Sequence, residues 1–202
     1  MDEIQRPSRS DRIGLYITVA VAAIVIVASV VGAIARLVEI GNGEDSTVTV
    51  PIDHEPITLP IGPGGSAYPA EALTATVSVA DPAPATTFAL WAEPIFGAVG
   101  ISALAVIGAL LLLRVAAGRI FERAAIRLFY IGVGVLAVWF VGSAILTNMA
   151  TNGALSAISD YGYDSITFEV GVAPFLVFLA LGGVGAALET GTRLRAETEG
   201  LV

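Results

Sequence analysis

The apolar residues of this chain gather into four long runs, separated by polar stretches of very unequal length. The first run fills residues 13–37 and opens with "IGLYITVAVAAIVIVASVVGAIA", which holds no charge. The second occupies residues 92–113, the third 128–150 and the fourth 169–189. Each reaches the roughly 20 mostly apolar residues that a helix needs to cross a bilayer. None shows the one-sided polar face of a helix half-buried in a water-soluble core. Small residues one turn apart, Ala28/Gly32 in the first run and Gly182/Ala186 and Gly183/Ala187 in the fourth, permit close helix packing, within the bundle or between copies in a homo-oligomer. Pro94 suits the first turn of the second helix, and Pro174 predicts a kink in the fourth.

Between the first two runs the period changes. In residues 38–91, "STVTVPI" (Ser46–Ile52) puts Val48, Val50 and Ile52 on one face. "LTATVSVA" (Leu73–Ala80) likewise sets Leu73, Ala75, Val77 and Val79 against Thr74, Thr76 and Ser78. Alternation bounded by Gly, Pro and Asp is a strand pattern, and "PITLPI" (Pro56–Ile61) reads as another short extended run. Two to four short antiparallel strands are expected, with "ADPAPATT" (Ala80–Thr87) as an extended linker back to the second helix. The predicted fold is an all-α transmembrane four-helix bundle with a small β-rich extracytoplasmic insertion between helices 1 and 2. Residues 151–168 form a shorter loop on the same side, able to add a short helix or strand.

Charge sets the direction of the four crossings. All ten basic residues are arginines. Nine of them fall on one side of a four-pass topology: Arg6, Arg9 and Arg12 in the tail of residues 1–12; Arg114, Arg119, Arg123 and Arg127 in the loop of residues 114–127; Arg193 and Arg195 in the tail of residues 190–202. Only Arg36 lies on the other side, together with eleven of the eighteen acids. Cytoplasmic flanks of membrane helices are enriched in Lys and Arg, so both termini are expected in the cytoplasm of a cell-membrane protein. Arg6, Arg9 and Arg12 followed by an apolar run and "AIA" also resemble a signal peptide. That run exceeds the usual 7–15 residues of such a region, which favours an uncleaved first helix. Trp91, Tyr161 and Tyr163 fit an outer aromatic belt, Tyr16 and Tyr130 an inner one.

The basic loop has three readings. Nucleic-acid binding asks for a basic domain, whereas the chain's pI is about 4.5; no direct nucleic-acid partner is expected. A voltage sensor carries its arginines within the span, and these lie outside it. Arg119, Arg123 and Arg127 recur at i, i+4 and i+8, predicting one stripe on a helix that runs into the third span, facing lipid headgroups or a protein partner.

Catalytic chemistry finds little to build on. The chain has no cysteine and one histidine, His54, in "DHE". A zinc site would have to rely on carboxylates and water, and no serine has a credible histidine partner. No metal or cofactor is expected. The polar residues of the spans, Thr18, Ser29, Ser102, Ser143, Thr147 and Asn148, can bond within their own helix or to a neighbour. Glu93 and Glu169 fall at helix starts, where an acid complements the helix dipole.

"GRIFERAAIRLFYIGVG" (Gly118–Gly134) and the tail "GTRLRAETEGLV" (Gly191–Val202) resemble a bacterial, actinobacterial-type domain-of-unknown-function family of four-transmembrane-helix proteins. Gly118, Phe121, Arg127 and Leu128 match its Gly-x-x-Phe and Arg-Leu pattern; Glu122 and Ala125 depart from it. Members are often encoded next to a small helix-turn-helix regulator, so the resemblance implies association with a cytoplasmic regulator and no established activity. The expected role is that of a non-enzymatic accessory or regulatory protein of the lipid bilayer, with Gly118, Phe121, Arg119, Arg123 and Arg127 as its partner- or lipid-contact residues. The alternative is a small oligomeric transporter or channel subunit.

Overall fold

A computed structural model describes residues 9–42, 46–159, 162 and 172–199. Its elements, in chain order, are α1 (Arg9–Gly41), β1 (Ser46–Leu59), a 3-10 turn (Pro63–Gly65), β2 (Tyr68–Val79), α2 (Pro84–Ala116), α3 (Arg123–Ile158) and α4 (Ala173–Glu199). All four helices are long and apolar enough to cross a membrane. At about 1.5 Å per residue, the 33 residues of α2 measure about 50 Å, against a hydrocarbon core of about 30 Å.

The helices begin and end where backbone chemistry allows. Pro84 takes the first position of α2, where a missing N–H breaks no helical bond, and Thr87 N–H already donates to the Ala83 carbonyl at 2.9 Å. The expected linker over residues 80–87 shortens to 80–83, residues 84–87 forming the first turn of α2, and Pro94 lies inside α2 rather than at its start. Pro174 sits in the first turn of α4, whose opening bonds run to the Val172 carbonyl, so the kink expected of it has no cause. Residues 151–158 continue α3.

The alternating stretches form one hairpin of two long strands, paired antiparallel from Ser46↔Val79 to Leu59↔Tyr68. The run at Pro56–Ile61 is no separate strand; it continues β1 past an irregularity between Pro51 and Glu55, where β1 carries more residues than β2. His54, at φ +43°, lies in this bulge. A bulge bends the strand and turns its face, and the apolar alternation ends there. Val48, Val50 and Val79 are buried, with Ile52, Ala75 and Val77 packed beside them, whereas Leu73 is exposed instead of sharing that face.

By contacts the chain divides into two units. One comprises Ile34–Ile95 and Gly142–Glu169, the hairpin unit; the other, Met1–Ala33, Phe96–Val141 and Val170–Val202, is the helical unit. The hairpin unit has a core of the three strand valines with Ala89, Leu90, Ala150, Ala154 and Leu155. There α2 and α3 meet closely: a Cβ on Gly153 would stand 1.9 Å from Thr86 Oγ1. In the helical unit most apolar side chains are exposed and contacts are made ring against glycine. Trp139 lies over Gly100, and Tyr130 and Phe129 lie against Gly185. Phe140 meets Phe178 edge to face, centroids 6.5 Å apart. Exposed apolar helix faces with close approaches at glycine suit a solvent of lipid tails.

Candidate functional site

Within the hairpin unit, four elements wall a cavity of about 420 Å³. The last turns of α1 supply Arg36; β1 supplies Val48 and Thr49; α2 supplies Leu90, Glu93 and Pro94; α3 supplies Thr147, Ala150 and Thr151. Its apolar members belong to or adjoin the buried core, so the wall is firmly supported.

Its two charged residues are each held by threonine. Arg36 Nη1 pairs with Glu39 Oε1 at 2.8 Å and donates to Thr47 Oγ1 at 3.4 Å, while Nη2 donates to the Thr47 carbonyl. Thr47 Oγ1 in turn donates to Glu39 at 3.1 Å. This knot fastens the end of α1 to the start of β1. Glu93 accepts a hydrogen bond from Thr147 Oγ1 at 2.7 Å. It lies more than two turns inside α2, so the dipole explanation for its position does not hold, because the dipole acts within the first turn. Glu169, its expected counterpart, lies outside the described residues, as do Tyr161 and Tyr163. Pro94 follows Glu93 directly. Without an N–H it cannot donate to the Leu90 carbonyl one turn back. Among the described residues Arg36 and Glu93 make no ion pair with each other. Thr147 was legible only as a polar span residue. Its partner Glu93 lies 54 positions away in sequence.

Three of the other polar residues of these helices bond within their own helix, as expected. Thr18 bonds the Gly14 carbonyl, Ser29 the Ile26 carbonyl and Asn148 the Ala144 carbonyl, and Ser29 and Ser102 meet at 3.4 Å.

The basic segment in the helical unit is a tight helix–turn–helix connection. Arg119 N–H bonds the Arg114 carbonyl at 2.8 Å and Gly118 N–H bonds the Val115 carbonyl at 2.9 Å. This paired 6→1 and 5→2 pattern is the Schellman stop, with Gly118 at its left-handed position, φ +69°. Glu122 then collects both nearest arginines, Arg119 at 2.6 Å and Arg114 at 3.5 Å. That hydrogen bond, and secondarily the charge, holds the Arg119 guanidinium above its ordinary range. Arg119 therefore lies in the turn, not on α3, and the expected three-arginine stripe shortens to Arg123 and Arg127, both exposed on the first turns of α3. The Phe121 ring rests on α4, where a Cβ on Gly191 would stand 2.4 Å from it. Tyr130 Oη donates to Glu189 at 2.8 Å, a second tie between α3 and α4.

The small-residue pairs lie apart from these contacts. Ala28, Ala186 and Ala187 are exposed, and a Cβ on Gly32, Gly182 or Gly183 would meet nothing within 4 Å. Within this chain the close approaches on α4 go through Gly185 and Gly191 instead. His54 Nδ1 lies 3.2 Å from Glu71 across the hairpin, both side chains exposed. Among the described residues no three His, Cys, Asp or Glu side chains gather as metal ligands. The chain matches no family model, no curated protein and no solved structure.

Proposed function

We propose that this chain is a four-pass cell-membrane protein with a non-enzymatic accessory or regulatory role, which binds a small ligand in the hairpin-side cavity and contacts a cytoplasmic partner through its basic turn. In this reading both termini and Arg114–Arg127 face the cytoplasm and the hairpin lies outside. One observation carries it: Glu93, a carboxylate within an apolar helix, opens on a walled cavity. The volume falls within the roughly 300–1,000 Å³ of small-molecule pockets. The distribution of arginines supports the orientation.

The test joins topology to association. Because the chain has no cysteine, a single Ser66→Cys should react with an impermeant maleimide on intact cells and a single Ala117→Cys should not. Purified from native membranes, the wild type should retain a stoichiometric protein partner that the triple Arg119→Gln, Arg123→Gln, Arg127→Gln variant loses while still folding. Reversed labelling overturns the orientation; a partner held equally by both overturns the role given to the turn. A second reading, an oligomeric transporter or channel subunit, draws on the Glu93–Thr147 bond between two span helices. It predicts ion or solute flux in proteoliposomes that Glu93→Gln abolishes.

A further inference from the structure

Resting on the reading of the hairpin-side cavity as a binding site, we infer that its ligand is a zwitterion, with a protonated amine on Glu93 and Thr147 and an anionic group on Arg36. Both signs of charge line one cavity of about 420 Å³, yet among the described residues they do not neutralise each other. The carboxylate end offers acceptors: Glu93 itself and the Thr147 and Thr151 hydroxyl oxygens on the wall. An ammonium group has three N–H donors and no acceptor, which is the complement of that set. At the other end the guanidinium has five N–H donors, of which three go to Glu39 and Thr47. The remaining donors are held in place by those bonds and can serve an anion. A monoanion would bring its charge against Glu93, so the carboxylate selects against that class of competitor. Val48, Leu90 and Ala150 form the apolar part of the wall.

Two sources supply this chemistry: a phosphoethanolamine-type lipid headgroup and a free small zwitterion. They are separated by reading cavity occupancy with a single Thr49→Cys reporter on the cavity wall, the chain being free of other cysteines, and small methanethiosulfonate reagents. In nanodiscs of phosphatidylglycerol alone the reporter should react readily. Added glycerophosphoethanolamine or 4-aminobutyrate should slow the reaction, while glycerol phosphate and ethanolamine at equal concentration should not. Protection by phosphatidylethanolamine in the disc, without any soluble additive, assigns the lipid as the source; protection by the soluble compounds alone assigns a free solute. Glu93→Gln and Arg36→Gln should each weaken protection about tenfold or more, and Glu93→Asp, which keeps the charge if either variant misfolds, should retain part of it. A reporter that reacts fast under every condition, or is protected equally by glycerol phosphate, overturns the zwitterion and leaves the cavity standing. A reporter inert to every reagent, while Ser66→Cys reacts, overturns the cavity reading itself.

Discussion

Val50 and Val138 carry the same side chain in opposite surroundings. Val50, on β1, is 0% exposed in the hairpin-unit core; Val138, on α3 in the helical unit, is 65% exposed. The hairpin unit is built as water-soluble proteins are, by removing strand and helix side chains from solvent into a shared centre. The helical unit keeps its apolar side chains outward and makes its contacts where a ring meets a glycine. A similar apolar composition is thus used in two ways, and a substitution should be judged by whether its site is buried or exposed.

The largest break in that comparison is Val50→Asp. An unpaired carboxylate in the strand core should cost about 4 kcal/mol or more and abolish the folded hairpin, read by loss of its protease resistance; Val138→Leu should leave unfolding unchanged. Next comes Gly153→Ala, where the new Cβ would collide with Thr86 Oγ1. Overpacking of this kind should cost about 2 kcal/mol, measured as a lower unfolding temperature in detergent. Gly118→Ala, at a left-handed helix stop, should cost about 1 kcal/mol without altering the hairpin. Smallest is Gly182→Ala, with open space around the new methyl, which should stabilise α4 by about 0.5–1 kcal/mol. If it instead destabilises and shifts the particle size, a second copy packs on that face.

The four long apolar helices were legible because a run of about 20 apolar residues has few other uses. The hairpin was legible where alternation was clean, at Ser46–Ile52 and Leu73–Ala80, and misread where prolines interrupt it. The run from Pro56 was read as separate, but it follows a bulge between Pro51 and Glu55 that lets one strand continue. Gly118 offered a signal that could have been used: glycine directly after an apolar helix, with a basic residue in its last turn, is how a Schellman stop reads in sequence. The Arg119 misplacement follows from missing it, since a stop at Gly118 forbids a helix through residue 119. The Glu93–Thr147 bond had no local signal, because long-range pairing across α2 and α3 depends on the rotation of both helices and on Gly153 admitting Thr86.

The hairpin has a further consequence for the chain's behaviour among its own copies. A two-stranded sheet has two open edges, each a template onto which another strand could add. Pro51 and Pro56 in β1 and Pro69 in β2 each withdraw one backbone donor, and the bulge bends the ribbon between them. A flat, donor-complete ribbon would invite a queue of like molecules along the membrane surface. This one is blunted along its rim, which disfavours growth through its strands.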